Sequence, residues 1–217
     1  MFFLSDMLNK KLNLPKPGEA LPGRAKPIRT ATRHFVSRLA LKEPYPDATE
    51  TAVFAMGNFH DAERLFWKTE GVWVTAAGFC GGATANPTYQ EVSTGLTGHT
   101  QAVLVVFDPA IVSYAALLKL FWQSHDPTQG MRQGNDIGTF YRSMIHTRGE
   151  AQHGAALASR DAFQVALLGI GLGRITTQIA PGPNFFFAEA EHQQYLAKNP
   201  DGAGGLRGTG AVLEIAS

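Results

Sequence analysis

Two short runs hold side chains that could do chemistry, Gly57-Asn58-Phe59-His60 and Gly98-His99-Thr100-Gln101-Ala102-Val103. Asn58 and Gln101 are amides. They donate and accept hydrogen bonds, but near neutral pH they are neither nucleophiles nor acids. His60 can move a proton in that range. The single thiol is Cys80, in Cys80-Gly81-Gly82. A lone cysteine commonly serves as a small buried hydrophobe. It becomes a nucleophile beside a base or in a positive field, and His60 would supply the base if the two approach. One cysteine also excludes an internal disulfide, which agrees with a reducing compartment.

The neighbouring text places these residues. Thr51 to Met56 reads as a short apolar strand ending at Gly57, and Asp61 to Thr69 as a helix with Ala62, Leu65 and Phe66 on one face. Asp61 and Glu63 suit the first turn, at the positive end of the helix dipole. Residues 58 to 60 therefore fall at a strand-to-helix junction, where free backbone N–H groups collect. The dipole there disfavours imidazolium, so His60 is expected neutral and available as a base or ligand. A junction residue should also be replaceable with little effect on stability.

Further along, Gly71 to Phe79 reads as a strand, and Asn86 as a helix N-cap with Pro87 at the first helical position. His99 to Phe107 is apolar on both faces, as in a central strand. Ser113 to Ser124 is a helix with Leu117, Leu118, Phe121 and Trp122 inward. Thr139 to Thr147 is a strand, Glu150 to Leu168 a helix, Arg174 to Ala180 a strand and Ala188 to Lys198 a short helix. The alternation predicts an α/β two-layer sandwich on a mixed sheet. Residues 1–50, punctuated by Pro and Gly, read as an extended arm, and residues 51–200 as the domain. Residues 201–217 form a tail with five glycines between Asp201 and Gly210, flexible unless the body pins it.

Composition narrows the function. Hydrophobic residues are 44% and charged residues 17% of 217, which suits one soluble domain with an arm. Nineteen basic against 18 acidic residues leave a net charge of +1, with no basic run interleaved with aromatics. That argues against nucleic-acid partners. Met1-Phe2-Phe3-Leu4 is interrupted by Asp6 and no long apolar stretch follows, so neither a signal peptide nor a membrane span is expected. A monomer in the cytoplasm, acting on a small-molecule ligand, is the default. His60, His99, His125, His146, His153 and His192 supply imidazole, but no His-Glu-x-x-His or Cys-x-x-Cys spacing occurs. No metal and no cofactor are expected.

Phe54-Ala55-Met56-Gly57-Asn58-Phe59-His60, Glu63-Arg64-Leu65-Phe66-Trp67, Asn86-Pro87-Thr88-Tyr89 and Gly130-Met131-Arg132-Gln133-Gly134-Asn135-Asp136 closely resemble peptide methionine sulfoxide reductases of type A. The resemblance spans roughly residues 50 to 200 and implies that family's roll, related to ferredoxin-like folds. The family writes its first motif Gly-Cys-Phe-Trp. Its cysteine attacks the sulfoxide sulfur, a glutamate in Gly-His-x-Glu-Ala-Val protonates the oxygen, and C-terminal cysteines usually resolve the intermediate.

Carried over, Phe59, Tyr89, Asp136, Tyr141 and Tyr195 fall on the family's pocket positions. Asn58 stands at the nucleophile, His60 at the Trp that helps cup the S-methyl group, and Gln101 at the acid. The tail has no cysteine. Cys80 replaces a residue, usually Thr or Ser, in a turn near the pocket, while His99, His125 and His192 match structural histidines. The resulting expectation is a diverged family member with His60, Cys80, Asn58 and Gln101 as its catalytic set. It would perform proton transfer, elimination or rearrangement on a small polar oxygen-bearing substrate. The alternatives are a non-catalytic sulfoxide-binding module, or a residual reductase using Cys80 with an external thiol.

Overall fold

Runs of alternating strand residues send apolar side chains to both faces of one sheet. The computed structural model describes residues 11–16, 18–182, 184–202 and 205–214. In chain order the elements are β1 (Glu50–Met56), α1 (Phe59–Trp67), β2 (Val72–Cys80), α2 (Tyr89–Ser93), β3 (Thr100–Phe107), α3 (Tyr114–Ser124), β4 (Arg132–Gln133), β5 (Asp136–Ile137), β6 (Ser143–Thr147), α4 (Gly149–Gly169), β7 (Gln178–Pro181), β8 (Phe186–Phe187) and α5 (Tyr195–Lys198). Six strands form a mixed sheet in the order β7-β6-β1-β3-β2-β8, while β4 and β5 make a separate ribbon. Among the described residues only the β6–β7 pair is parallel. The predicted α/β fold with a mixed sheet stands.

One face of the sheet carries the helices. Phe54, Phe79, Val103, Val105 and Phe107 pack there with Phe59 and Phe66 of α1, Phe121 and Trp122 of α3, and Phe163 of α4. Each such burial contributes about 1.5–3 kcal/mol. The other face gathers Val53, Ala55, Val74, Ala76, Cys80, Ala102, Leu104 and Met144, covered by Leu41 and Tyr45 before β1 and by Phe185 and Phe187. Among the described residues no helix is long and apolar enough to cross a membrane. The apolar start Met1 to Leu4 lies outside the described residues.

Three expectations change. Asn86 is not a helix cap: it adopts a left-handed conformation with φ 51°. Thr88 caps α2 through a reciprocal box with Glu91, the Thr-x-x-Glu pattern. Asn86 instead holds the segment before β1, donating to the Arg24 carbonyl at 2.6 Å and accepting from its guanidinium at 2.7 Å. Residues 139–141 form a 3-10 turn, so that strand begins only at Ser143.

The expected helix from Ala188 is confined to Tyr195–Lys198. Ahead of it, the Gln193 side chain donates to Ala77 O at 2.8 Å and accepts from Ala77 N at 2.9 Å. Side-chain bonds to the β2 edge thus take the place of a helical turn. The tail is pinned where it is described. Ala211 and Leu213 are buried in the helix-side core, and Gly205 N donates to Asp61 at 2.8 Å.

Burial also sets the histidines. His125 bonds the Phe121 carbonyl through Nδ1 at 2.8 Å and Ser143 through Nε2 at 2.7 Å. Burial holds His34 and His125 down to about 4, and His60 and His146 down to about 3. Their ordinary value is 6.5, so below it the unfolded chain binds more protons than the folded one. Their stabilisation is complete above that value and is lost as pH falls through the window toward 4. Glu63, pushed up to about 7 by burial, opposes this by losing stability as pH rises through the same region, but it is one group against four. The midpoint of urea unfolding should therefore fall between about pH 7 and about pH 5. A flat or rising midpoint would contradict this account.

Candidate functional site

The site begins where β1 ends. Asn58 is the N-cap of α1, and its side-chain oxygen accepts from His60 N at 2.9 Å. The helix therefore starts two residues earlier than Asp61, because Asn58 satisfies one of its free N–H groups. Phe59 N donates to Gln101 Oε1 at 3.1 Å, which ties the helix start to β3. That leaves Gln101 Nε2 with no partner among the described residues, although the residue is 1% exposed. An unmet buried donor costs about 1–3 kcal/mol.

Next to it lies Tyr141, pushed up to about 12 by burial and then by the Asp136 carboxylate. The Gln101 amide is near enough to lower that value slightly, but the geometry makes no full hydrogen bond. Two neutral donors, an amide and a phenol, thus face a place suited to an acceptor oxygen.

Aromatic rings form the wall. Phe59 lies against Phe79, Tyr89 and His192 at centroid distances of 5.8, 5.9 and 5.7 Å. His60 stacks on Tyr195 at 4.3 Å, and His192 on Tyr89 at 4.2 Å. His60 Nε2 meets His192 Nδ1 at 3.2 Å, so one ring donates and the other accepts. Burial, then the neighbouring His192, keeps His60 neutral, and burial also lowers His192 against the pull of Glu189 and Glu191. His60 is half-buried with its Nε2 engaged, so its loss would open a ring stack. The expectation that it could be replaced without effect on stability is corrected.

His192 belongs to this wall as well, whereas His99 and His125 bond backbone and hydroxyl groups. Asn58 and Asp136 line a cavity of about 540 Å³ with Asp61, Gln133 and the tail residues Leu206 and Arg207. Burial and then Asp61 raise the Asp136 carboxyl.

Cys80 lies elsewhere. It is the last residue of β2 and not part of a turn, 1% exposed, in the cluster on the sheet face away from the helices. Phe79, one residue before it, packs against Phe59 on the pocket side. Successive strand side chains point to opposite faces, so the sheet stands between Cys80 and His60. No Cys–His pair forms. Burial pushes the thiol up to about 12, and its Sγ approaches the Asn184 carbonyl at 3.8 Å. Cys80 is therefore not a thiolate near neutral pH. Among the described residues no group of three or more His, Cys, Asp or Glu side chains is arranged to hold a metal.

Glu63 escaped notice in the sequence beyond its place in a first turn. It is fully buried, and accepts from Gln194 N at 2.7 Å, Gln194 Nε2 at 2.6 Å and Thr75 Oγ1 at 3.2 Å. Thr75 spends its single proton on Glu63, so His34 Nε2, 3.1 Å away, is the donor to Thr75. His34 Nδ1 then accepts from Val36 N and Ser37 N. An acidic residue between apolar helix positions was the only signal for this network.

A family model described as peptide methionine sulfoxide reductase matches residues 50–209. Over 208 residues the chain is 61% identical to peptide methionine sulfoxide reductase MsrA 1 of Caulobacter vibrioides, covering 96% of each. It is 58% identical over 210 residues to MsrA of Brucella ovis, covering 97% of this chain and 96% of that one. Among solved structures, methionine sulfoxide reductase A of Corynebacterium diphtheriae superposes with a TM-score of 0.84 at 42% identity, covering 94% of this chain and all of that one. Mxr1 from Saccharomyces cerevisiae in reduced form gives 0.70 at 27% identity, covering 76% and 96%.

These similarities overturn the expectation of a diverged, repurposed enzyme, and with it the binding-only module. Identity of 58–61% over nearly the whole chain to proteins named as reductases marks close kinship with that chemistry. Asn58, His60 and Gln101 are not evidence that reduction has been given up.

His60→Ala should lower stability by about 1–3 kcal/mol, since it removes a ring stacked on Tyr195 and leaves His192 without its partner. Denaturant unfolding of the variant beside wild type measures this. A loss below about 0.3 kcal/mol would return His60 to the role of a surface residue.

Proposed function

Because the chain belongs to the peptide methionine sulfoxide reductase family, we propose that it reduces methionine sulfoxide in peptides, with both reducing equivalents delivered by thiols from outside the chain. The observation that carries this reading is the 61% identity, over 96% of both chains, to a protein named for that reaction. The pocket supports it. Phe59, Tyr89 and the His60–His192 pair offer an apolar wall for the S-methyl group, and Gln101 Nε2 and the Tyr141 hydroxyl offer donors to the sulfoxide oxygen.

The external source of electrons follows from the cysteine count. Reduction of one sulfoxide consumes two thiols and releases one disulfide and one water. Cys80 is the only cysteine, and it is buried across the sheet from the pocket. One external thiolate attacks the bound sulfoxide sulfur, and the oxygen then passes to the thiol sulfur as the transient sulfur–sulfur bond and the methionine sulfur–oxygen bond both break. The methionine sulfur gains two electrons, and the oxygen leaves on that thiol as a sulfenic acid. A second external thiol displaces the hydroxyl as water and closes the disulfide.

In this scheme the chain's residues bind and orient. Tyr141 stays protonated because its value is pushed up to about 12, and it stabilises charge building on the oxygen. The protons that end in water come from the thiols. A reducing, thiol-rich compartment such as the cytoplasm supplies such a reductant.

Purified protein with dithiothreitol should reduce a peptide methionine sulfoxide above the rate of dithiothreitol alone, followed by chromatography of the peptide. Cys80→Ser should leave that rate unchanged. Asn58→Cys should raise it by at least roughly tenfold, because it sets a thiol at a helix N-terminus where its pKa falls. The same change should lower stability by about 0.5–2 kcal/mol through loss of the cap. Wild-type turnover no faster than free thiol would sink the proposal. Loss of activity in Cys80→Ser would instead make Cys80 the nucleophile.

A further inference from the structure

Gln194 has a left-handed backbone, with φ 47° and ψ 44°. Among the described residues only Arg38 and Asn86 share a positive φ without being glycine. Such a conformation persists only where its surroundings hold it. Here it falls inside the pocket wall, with His192 two residues before it and Tyr195 one after. Both of those rings meet the single ring of His60, at centroid distances of 5.4 and 4.3 Å. The turn at Gln194 is what lets them do so.

The group that holds the turn is Glu63. Its carboxylate accepts from Gln194 N at 2.7 Å and from Gln194 Nε2 at 2.6 Å. Glu63 is fully buried and lies one turn along α1 from Phe59 and His60, the other half of the wall. One carboxylate therefore ties the two halves together. The neighbouring Gln193 bonds Ala77 and Ala188, which fixes the segment to β2 and not to α1.

The bonding calls for a carboxylate in particular. A third donor, Thr75 Oγ1, reaches it at 3.2 Å. The direction of that proton is set from behind, because His34 Nδ1 accepts from Val36 N and Ser37 N and leaves Nε2 to donate to Thr75. All three bonds point at Glu63. An ionised carboxylate only accepts and can take them all. An amide of the same shape would bring two N–H donors into a place already filled with donors.

We propose that Glu63 is a positioning residue of the pocket: by holding Gln194 in its left-handed turn it sets His192 and Tyr195 against His60, and so fixes the wall that the S-methyl group of the substrate meets. The identity of that substrate rests on the reading of the site as a sulfoxide reductase, whereas the geometry does not. Gln101 and Tyr141, the donors to the sulfoxide oxygen, belong to β3 and the 3-10 turn, and no hydrogen bond from Glu63 reaches them among the described residues. Loss of Glu63 should therefore act on binding more than on the chemical step.

The test follows reduction of a peptide methionine sulfoxide with dithiothreitol by the full chain carrying Glu63→Gln, together with the ring resonances of His192 and Tyr195. KM should rise at least roughly fivefold while kcat stays within about twofold of wild type, and the resonances should move. A merely structural role predicts the reverse, a lower kcat from fewer folded molecules with KM unchanged. Thr75→Val is the control. It strands His34 Nε2 and lowers stability, yet keeps both Gln194 bonds, so KM and the resonances should stay as in wild type. Should Glu63→Gln fail to fold, Gln194→Met, which loses the amide and keeps a side chain of similar length, should give the same rise and the same movement. An unchanged KM in the folded variant, or an equal rise in Thr75→Val, would overturn the proposal. If wild type shows no turnover, the reductase reading falls by itself and the resonances decide alone: moved in Glu63→Gln but not in Thr75→Val they uphold the role of Glu63, and unmoved they refute it.

Discussion

Much of this structure rests on one buried carboxyl group, that of Glu63. It lies on the first helix, faces strand β2 through Thr75, and receives both the backbone N–H and the side-chain amide of Gln194. Through Thr75 it also reaches His34 in the segment before β1. Four pieces of chain distant in sequence therefore converge on one group that water cannot reach. Burial pushes this carboxyl up, and the bonds from Gln194 and Thr75 pull against that shift, leaving it at about 7. Removing the carboxyl would strand several donors at once, and such losses act together. Within two residues of Gln194 are His192 and Tyr195, whose rings build the pocket wall with His60. The pocket's shape is thus set by a network that never touches substrate.

The second constraint is the two-sidedness of the sheet. Strand periodicity places Phe79 with Phe59 and the substrate pocket, and Cys80 with Ala76, Ala102 and Met144 on the far side. A thiol one residue from the pocket wall in sequence is separated from it by a hydrogen-bonded layer. No rotamer of Cys80 crosses that layer, so its chemistry is confined to the far face whatever its pKa. The same periodicity puts His146, opposite Val53 in register, on that far face.

How much of this could be read in advance depended on how local the cause was. Strands β1, β2 and β3, the helix of residues 114–124 and the long helix of residues 149–169 follow from apolar patterning, and the structure places them within a residue or two. The pocket residues were named through motifs, and the structure gathers Asn58, Phe59, His60, Tyr89, Gln101, Asp136, Tyr141 and Tyr195 around one region. Two misreadings had local signals that were passed over. Thr88 and Glu91 already form the capping-box pattern that displaces Asn86, and alternation along residues 72–80 already puts Cys80 on the wrong face for His60. Others had none. The partners of Glu63 and Gln193 lie 131 and 116 residues away, and a pairing of that span leaves no periodicity in the text. The chemistry was misjudged for a different reason: three positions in the site were weighed above the kinship of the whole chain.

Position 58 shows why such a weighing is hard. Its side chain has two tasks, to cap the helix that carries Phe59 and His60 and to face the cavity it shares with Asp136. Asparagine is among the best N-caps, and here its oxygen closes on His60 N at 2.9 Å. A thiol at the same place is a poorer cap but a nucleophile in a favourable field. The two demands pull on one side chain, and this chain has met the structural one. On the proposed reading the reacting sulfur comes from solution, and the apolar wall and the unmet Gln101 donor hold the sulfoxide still while it arrives. Holding and orienting can contribute a large share of a rate, so an active site can keep much of its effect on a reaction while the attacking atom belongs to a diffusing reductant.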